Sequence, residues 1–301
     1  MNTVSDLAFF VALARQPSLA AAAQEMGITP PNVSRRLAAL EKRLGLRLLN
    51  RTTRRLSLTA EGQRYLSEGE QILRDLEGLE ESLAADRQAP RGVLRVNATF
   101  GFGRRHLAPA ISDFTLRYPQ VEVILTLTDH PLDLIEHAID VGIQFGTPPD
   151  ARVLARRVAS NRRWLCASPN YLAEFGVPSA PQDLAQHRCI VIRENTATFN
   201  HWQLTNGQDQ LMLKVRGPLS TNHGEVALDW ALAGHGIVLR SEWDVAAYLR
   251  SGRLSRILAP WGGEVADIHA IYPQRHHLSA KVRVFLDFLV ERFDSASTPP
   301  W

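Results

Sequence analysis

Asn32, Ser34, Arg35 and Arg36 stand within five residues, directly after the pair Pro30-Pro31. An asparagine amide can pair with an adenine edge and a guanidinium with a guanine edge, each contact worth about 1–3 kcal/mol of discrimination. A second cluster, Arg51-Thr52-Thr53-Arg54-Arg55, has the guanidinium and hydroxyl groups that hold phosphate oxygens. The net charge of the 301-residue chain is only +3, yet residues 35–64 hold nine basic side chains against two acids. Between residues 65 and 88 the sign reverses, with seven acids against Arg74 and Arg87. A basic block concentrated in one folded segment is the electrostatic mark of phosphate binding.

A different chemistry is spread over the second half of the chain. Thr99-Phe100-Gly101-Phe102-Gly103, Thr128-Asp129, Phe145-Gly146 and the segment 220–223, with Asn222-His223, fall where the chain leaves strand-like segments. In open sheets, ligands sit beyond the carboxyl ends of strands. Gly101 and Gly103 can bring backbone N–H groups to an anion at a helix start. Thr99 and Thr128 add hydroxyls, while Asn222 and His223 can close from the opposite side. Enzyme chemistry is not indicated: there is no G-x-x-x-x-G-K-[ST], H-E-x-x-H or G-x-S-x-G, and Gly101-x-Gly103 lacks the third glycine of a dinucleotide fingerprint. Cys166 and Cys189 are far apart and read as buried free thiols. Neither metal nor cofactor is expected.

The elements that would position these groups follow from periodicity. Leu7, Phe10, Val11 and Ala14 predict a helix over 4–14, and Ser18 is a cap for an alanine-rich helix that Gly27 stops. Thr29 can cap a third helix, with Pro30 and Pro31 in its first turn and Val33, Leu37, Leu40 and Leu44 on its inner face. Ser18, Thr29, Pro30 and Pro31 thus join Asn32, Ser34, Arg35 and Arg36 as candidate nucleic-acid contacts. Residues 46–58 alternate as two short strands around the basic turn, a wing. Tyr65, Gly69, Ile72, Leu76, Leu79 and Leu83 then repeat at 4, 3, 4, 3, 4, a coiled-coil seam flawed only by Gly69. Such a helix would pair two basic heads, so the DNA target expected is an interrupted palindrome.

Beyond Gly92 strand and helix alternate: strands at 93–99, 121–128 and 141–145, helices at 104–118 and 132–138. That predicts a mainly parallel sheet with helices on both faces. Further strands at 163–167, 189–192 and 268–272, with helices at 225–233, 242–249 and 279–293, suggest a second lobe and a return to the first. The organisation expected is a DNA-binding domain at 1–60, a linker and dimerisation helix at 61–89, and an effector domain at 92–293. Its first lobe takes 92–162 and 267–293, its second 163–266, and 294–301 is a disordered tail. There is no apolar run long enough to span a membrane, and the first sixteen residues lack signal-peptide features, so a cytoplasmic location is expected.

Residues 7–62 carry Pro31, Val33-Ser34-Arg35, Leu40-Glu41, Leu44-Gly45, Leu48, Arg51, Leu58-Thr59 and Gly62. This set resembles the DNA-binding domain of LysR-type transcriptional regulators, with Pro30 and Arg36 as departures at positions that bear on the operator sequence. The stretch SPNYLAEFGVPSAPQDLAQHRC, with ALAGHGIVL and SGRLSRIL, resembles that family's effector domain, in the branch that includes regulators of hydroxy-dicarboxylate metabolism. The resemblance implies an α+β chain: a winged helix-turn-helix, a coiled-coil linker helix and a two-lobed, periplasmic-binding-protein-like α/β domain. It implies double-stranded DNA and a small anionic organic acid as partners, in a homodimer or a dimer-of-dimers tetramer, and leaves RNA polymerase open as another. An enzyme with an accessory DNA-binding head and a nonspecific architectural DNA-binding protein are the alternatives. A cleft catalytic group would favour the first, and equal affinity for random DNA the second.

Overall fold

The computed structural model describes residues 3–50, 56–84, 89–146, 153–193, 200–274 and 278–294. The chain divides into two compact units, residues 1–88 with the short stretches 135–138 and 276–280, and the remainder.

The first unit begins with three helices, α1 (Thr3–Ala14), α2 (Leu19–Glu25) and α3 (Pro30–Leu44). Phe10, Leu13, Ala22, Val33 and Leu40 meet in one core, and the alanines of α2 let its neighbours approach closely. The Ser18 hydroxyl caps α2 by accepting from the Ala21 N–H at 3.1 Å. Thr29 does not cap α3 through its side chain, contrary to expectation. Pro30 and Pro31 have no N–H to offer, and the Asn32 and Val33 amides donate to the Thr29 carbonyl instead. After the left-handed Gly45, β1 (Leu49–Asn50) pairs antiparallel with β2 (Ser57–Leu58). The basic run Arg51, Thr52, Thr53, Arg54 and Arg55 lies between them, outside the described residues, as does the tail from 295. Helix α4 (Ala60–Ala84) completes the unit.

In the second unit β3 (Gly92–Thr99) leads into α5 (Phe100–Phe102), which continues through a π turn (Gly103–Leu107) into α6 (Ala108–Arg117). β4 (Val121–Thr128), β5 (Val141–Phe145) and β6 (Val153–Ala159) follow. The helix expected over 132–138 is a turn, with Ala138 at φ 56°. The left-handed Ala138 breaks any helical run there. Polar side chains also take its ends: the Leu132 N–H donates to Asn97 Oδ1, and Asp140 Oδ2 accepts from the Arg95 N–H at 2.9 Å.

The chain then builds a second lobe from β7 (Arg163–Ala167), α7 (Pro169–Phe175), β8 (Val191–Ile192), β9 (His201–Thr205), β10 (Gln210–Lys214) and β11 (Ser220–Thr221). These precede α8 (Gly224–Leu232), β12 (Val238–Ser241), α9 (Glu242–Arg250), β13 (Ser255–Arg256) and β14 (Gly262–Gly263). Strand β7 alternates across two cores: Leu165 and Ala167 pack with Tyr171 and Trp202, Cys166 with Ala227 and Val245. Both cysteines are buried free thiols. Burial pushes each up to about 12. The return crossing supplies β15 (Ile268–Pro273) and α10 (Ala280–Asp294).

The first-lobe sheet has the order β4-β3-β5-β15-β6. β3 runs parallel to β4 and β5, and β15 is antiparallel to β5 and β6, so the sheet is mainly parallel, as expected, with the single strand β15 running against the rest. The reason is topological. β15 arrives from the second lobe and must run opposite to the strands that start in the first. Asn161 joins the two crossings, its side-chain amide donating to the Ala266 carbonyl at 2.9 Å and its backbone N–H to Asp267 Oδ1 at 3.2 Å.

Candidate functional site

The start of α3 presents a polar face built on a buried stripe. Val33 and Leu40 are fully buried, which leaves Asn32, Ser34 and Arg35 exposed in the first two turns, beside exposed Thr29, Pro30 and Pro31. Arg35 donates to Asn32 Oδ1, so a guanidinium and an amide are held side by side at the helix start. That arrangement suits a pair of adjacent base edges in a major groove. Arg36 points elsewhere. Its guanidinium lies over the Phe9 ring at 4.5 Å and donates to Ser5 Oγ and the Ser5 carbonyl at 2.6 and 2.8 Å. It therefore ties α3 to α1, whereas Asn32, Ser34 and Arg35 face outward. Ser18 is half-buried with its oxygen engaged in the α2 cap.

Several of the motif residues are scaffold. Glu41 Oε1 accepts from the Leu48 and Leu49 N–H groups at 2.8 and 3.3 Å, which fixes the start of the wing. The Thr59 hydroxyl donates to the Arg47 carbonyl at 2.7 Å and accepts from the Gly62 N–H at 3.0 Å. A Cβ at Gly62 would fall 1.9 Å from the Leu48 carbonyl oxygen. Gly69 has a similar role: a Cβ there would meet Leu7 Cδ1 at 2.5 Å, and Tyr65 packs edge-on to Phe10 at 5.3 Å. The coiled-coil seam thus divides. Its start is occupied by α1, while Ile72 and Leu79 are 55% and 42% exposed.

In the second unit a cavity of about 370 Å³ lies between the lobes. The first lobe contributes Thr99, Phe100, Gly101, Thr128, Asp129 and Phe145, and the second Arg163, Asn222, His223, Arg240 and Trp243 among others. Contacts across it come from one short stretch at the start of α8. Asn222 donates to Asp129 Oδ2 at 3.0 Å, His223 stacks on Phe100 at 5.4 Å, and Glu225 pairs with Arg104. Behind this stretch, the fully buried Asp244 carboxylate accepts from Arg105 of the first lobe at 2.8 Å and from Arg240 Nε at 2.7 Å. Trp243 inserts between lobes, 5.5 Å from Phe102 and 5.6 Å from His106. Burial pushes the His106 ring below its ordinary value.

The charge of the wall is sorted by these pairings. Arg240 is neutralised by Asp244, and Glu225 by Arg104 and Arg105. Arg163 carries no ion pair among the described residues, and its methylene stem packs against Gly263. On the opposite wall Asp129 Oδ1 lies 2.6 Å from His130 Nδ1. Hydrogen bonding to His130 first, and to Asn222 as a smaller cause, holds its carboxyl below the usual range.

Of the residues singled out from sequence, Thr99, Phe100, Gly101, Thr128, Phe145, Asn222 and His223 line this cavity. Phe102, Gly103 and Gly146 do not. The run 100–103 becomes helical, so its side chains point around an axis rather than toward one ligand. Phe102 is 1% exposed, packed on Phe145 and Phe293. Gly103 backs onto Leu127, where a Cβ would come within 2.2 Å of Cδ2. Gly146, at φ 80°, turns the chain and donates its N–H to the Asp267 carbonyl. The sequence reading missed Arg163, Arg240 and Trp243; Asp129, singled out with Thr128, lines the cavity as well. Arg163 opens β7 as that strand leaves the hinge, so it is a strand start that faces the cavity.

Comparison with known proteins matches both units. Residues 4–63 fit the bacterial regulatory helix-turn-helix protein, lysR family, and residues 87–294 the LysR substrate binding domain. The chain is 41% identical over 290 residues to the HTH-type transcriptional regulator DmlR of Escherichia coli K12, covering 96% of this chain and 94% of that one. It is 39% identical over 284 residues to the HTH-type transcriptional activator TtdR of the same strain, covering 94% and 91%. The solved structure of CrgA, a LysR-type transcriptional regulator from Neisseria meningitidis, aligns with a TM-score of 0.61 at 32% identity over 97% of this chain and 98% of that one. A helix-turn-helix with its polar face open, followed by a two-lobed ligand domain and matched along nearly its whole length, places this chain in the LysR family of bacterial transcriptional regulators.

Proposed function

We propose that this regulator reads an interrupted palindromic operator as a homodimer or a dimer-of-dimers tetramer, and that a small anionic organic acid of the hydroxy-dicarboxylate class in the inter-lobe cavity adjusts its DNA affinity. The exposed Asn32-Arg35 pair at the start of α3 is the observation that carries the DNA reading. Ser34, Thr29, Pro30 and Pro31 complete that face, and the basic run 51–55 is assigned to the neighbouring phosphates. The Arg163 guanidinium, without an ion pair among the described residues, supports an anionic effector, since it can grip a carboxylate in bidentate fashion. Among the described residues no group of histidines, cysteines and acids could hold a metal, and no helix is long and apolar enough to cross a membrane. The regulator is assigned to the cytoplasm, where its operator lies, and RNA polymerase is the partner through which an activator would work.

The test is footprinting on the DNA flanking the protein's own gene, at fixed salt with random DNA as competitor. An interrupted palindrome should be protected, and Arg35→Ala should weaken specific binding by roughly 1–3 kcal/mol while nonspecific affinity changes less. Equal affinity for random and flanking DNA, with and without hydroxy-dicarboxylates, would refute the operator reading.

A further inference from the structure

We infer that Arg163 and Asp129, on opposite walls of the inter-lobe cavity, read two different groups of one ligand: Arg163 holds a carboxylate and Asp129 accepts a hydrogen bond from a hydroxyl. This assignment rests on the effector reading above and says which feature of the acid is selected.

A carboxylate in the wall of an anion site repels every anion, so its presence works against affinity. It can favour selectivity when the ligand also brings a donor, because a ligand lacking one keeps the repulsion without the bond. Asp129 is suited to that role. Its oxygens are oriented by His130 at 2.6 Å and Asn222 at 3.0 Å, and a carboxylate has further lone pairs for a third donor. Depression of its titration by the same neighbours keeps it charged at neutral pH.

The neighbouring polar groups are less available. The Thr128 hydroxyl already donates to the His130 carbonyl at 2.5 Å and accepts from Asn97 at 3.0 Å. Glu225 and Arg240 are held in ion pairs. That leaves Asp129 as the oriented acceptor of the first-lobe wall and Arg163 as the cation facing it. A plain dicarboxylate satisfies only the second, whereas a hydroxylated one satisfies both.

The test is calorimetric titration of the full chain at pH 7 with the enantiomers of malate and tartrate, with succinate as the analogue lacking a hydroxyl and aspartate as the one bearing an ammonium. At least one hydroxy acid should bind about tenfold or more tightly than succinate, the scale of one hydrogen bond to a charged group. Asp129→Ala should bring that ratio to within about threefold and raise succinate affinity, with Asp129→Asn intermediate. Arg163→Gln should weaken every acid by about tenfold or more. Melting curves and far-UV spectra of each variant establish that it is folded.

A ratio that stands in folded Asp129→Ala, or that falls instead in Glu264→Gln, a variant of a second-lobe carboxylate that also lines the cavity, would overturn the assignment and leave the effector reading intact. Tightest binding by aspartate would overturn it in favour of an ammonium group. Absence of binding by every acid would overturn the effector class itself, and this assignment with it.

Discussion

Arg36 lies across the Phe9 ring and donates to Ser5, while Arg35, one position before it, is exposed beside Asn32. A helix turns about 100° per residue, so adjacent side chains of one type face different surroundings. The buried Asp6 carboxylate lies near both Arg43 at 3.4 Å and Arg36 at 3.8 Å, which draws the second guanidinium inward. Arg36→Ala is therefore expected to destabilise the first unit by about 1 kcal/mol, combining a lost cation–π contact with hydrogen bonds at a partly exposed site. Urea unfolding of the full chain, followed by a probe in that unit, measures it. Unchanged stability with a large loss of operator affinity would return Arg36 to the base-reading set. Sequence could not separate the two arginines, because the discriminating fact is the aromatic ring on another helix. Gly62 was legible as a motif position, yet its reason, the Leu48 carbonyl 1.9 Å from where a Cβ would stand, is likewise a tertiary fact.

At the scale of the element, the apolar stripe of α4 divides in two. Tyr65 and Gly69 are taken by α1, while Ile72 and Leu79 stay exposed with Leu76 half-buried between them. Apolar side chains repeated on one face of a charged helix are what a second copy of the helix would cover. Burying one such side chain is worth about 1.5–3 kcal/mol, so Ile72→Glu with Leu79→Glu should raise the dimer dissociation constant by about a hundredfold or more. Sedimentation at micromolar concentration should then show monomer, and footprints should retreat to half-sites. A variant that remains dimeric would place the subunit contact elsewhere. The 4-3 spacing made the helix legible but not its division, since Gly69 reads as a flaw in a seam and as a close approach to α1 with equal ease. Elements fixed by local signals were read within one or two residues: β4, β5 and β7 match their expected bounds, and Gly27 ends α2. What was misread or left open fell where long-range contacts decide. Asn97 and Asp140 hold residues 132–140 as a turn, and β15 enters the sheet against the other strands only because it returns from a second lobe.

At the scale of the ligand-binding unit, the two lobes share a joint that titrates. His106 lies against Phe102 at 5.4 Å and Trp243 at 5.6 Å, with Arg105 alongside and Asp244 behind. Desolvation is the largest cause that lowers its pKa, and the Arg105 charge adds to it. A bond to the Trp243 backbone and the Asp244 carboxylate oppose it. A histidine depressed in the folded state binds its proton more readily once unfolded. The unfolded chain then takes up more protons as pH falls below the ordinary histidine value of about 6.5, and folding stability falls with it. The contribution is fully present above that value and is lost as pH drops toward the depressed one. Acidification from pH 7.5 to 5.5 should therefore lower the melting temperature of this unit. His106→Phe, which keeps a ring between Phe102 and Trp243 and cannot titrate, should lose less over the same interval. Differential scanning calorimetry at several pH values, at fixed salt and without organic acids in the buffer, measures both. Equal slopes for the wild type and His106→Phe would mean that the joint carries none of the acid sensitivity and that other histidines do. A steeper slope in the wild type would mean that protonation at a single ring loosens the seat of Trp243, and with it the contact surface on which the lobes close.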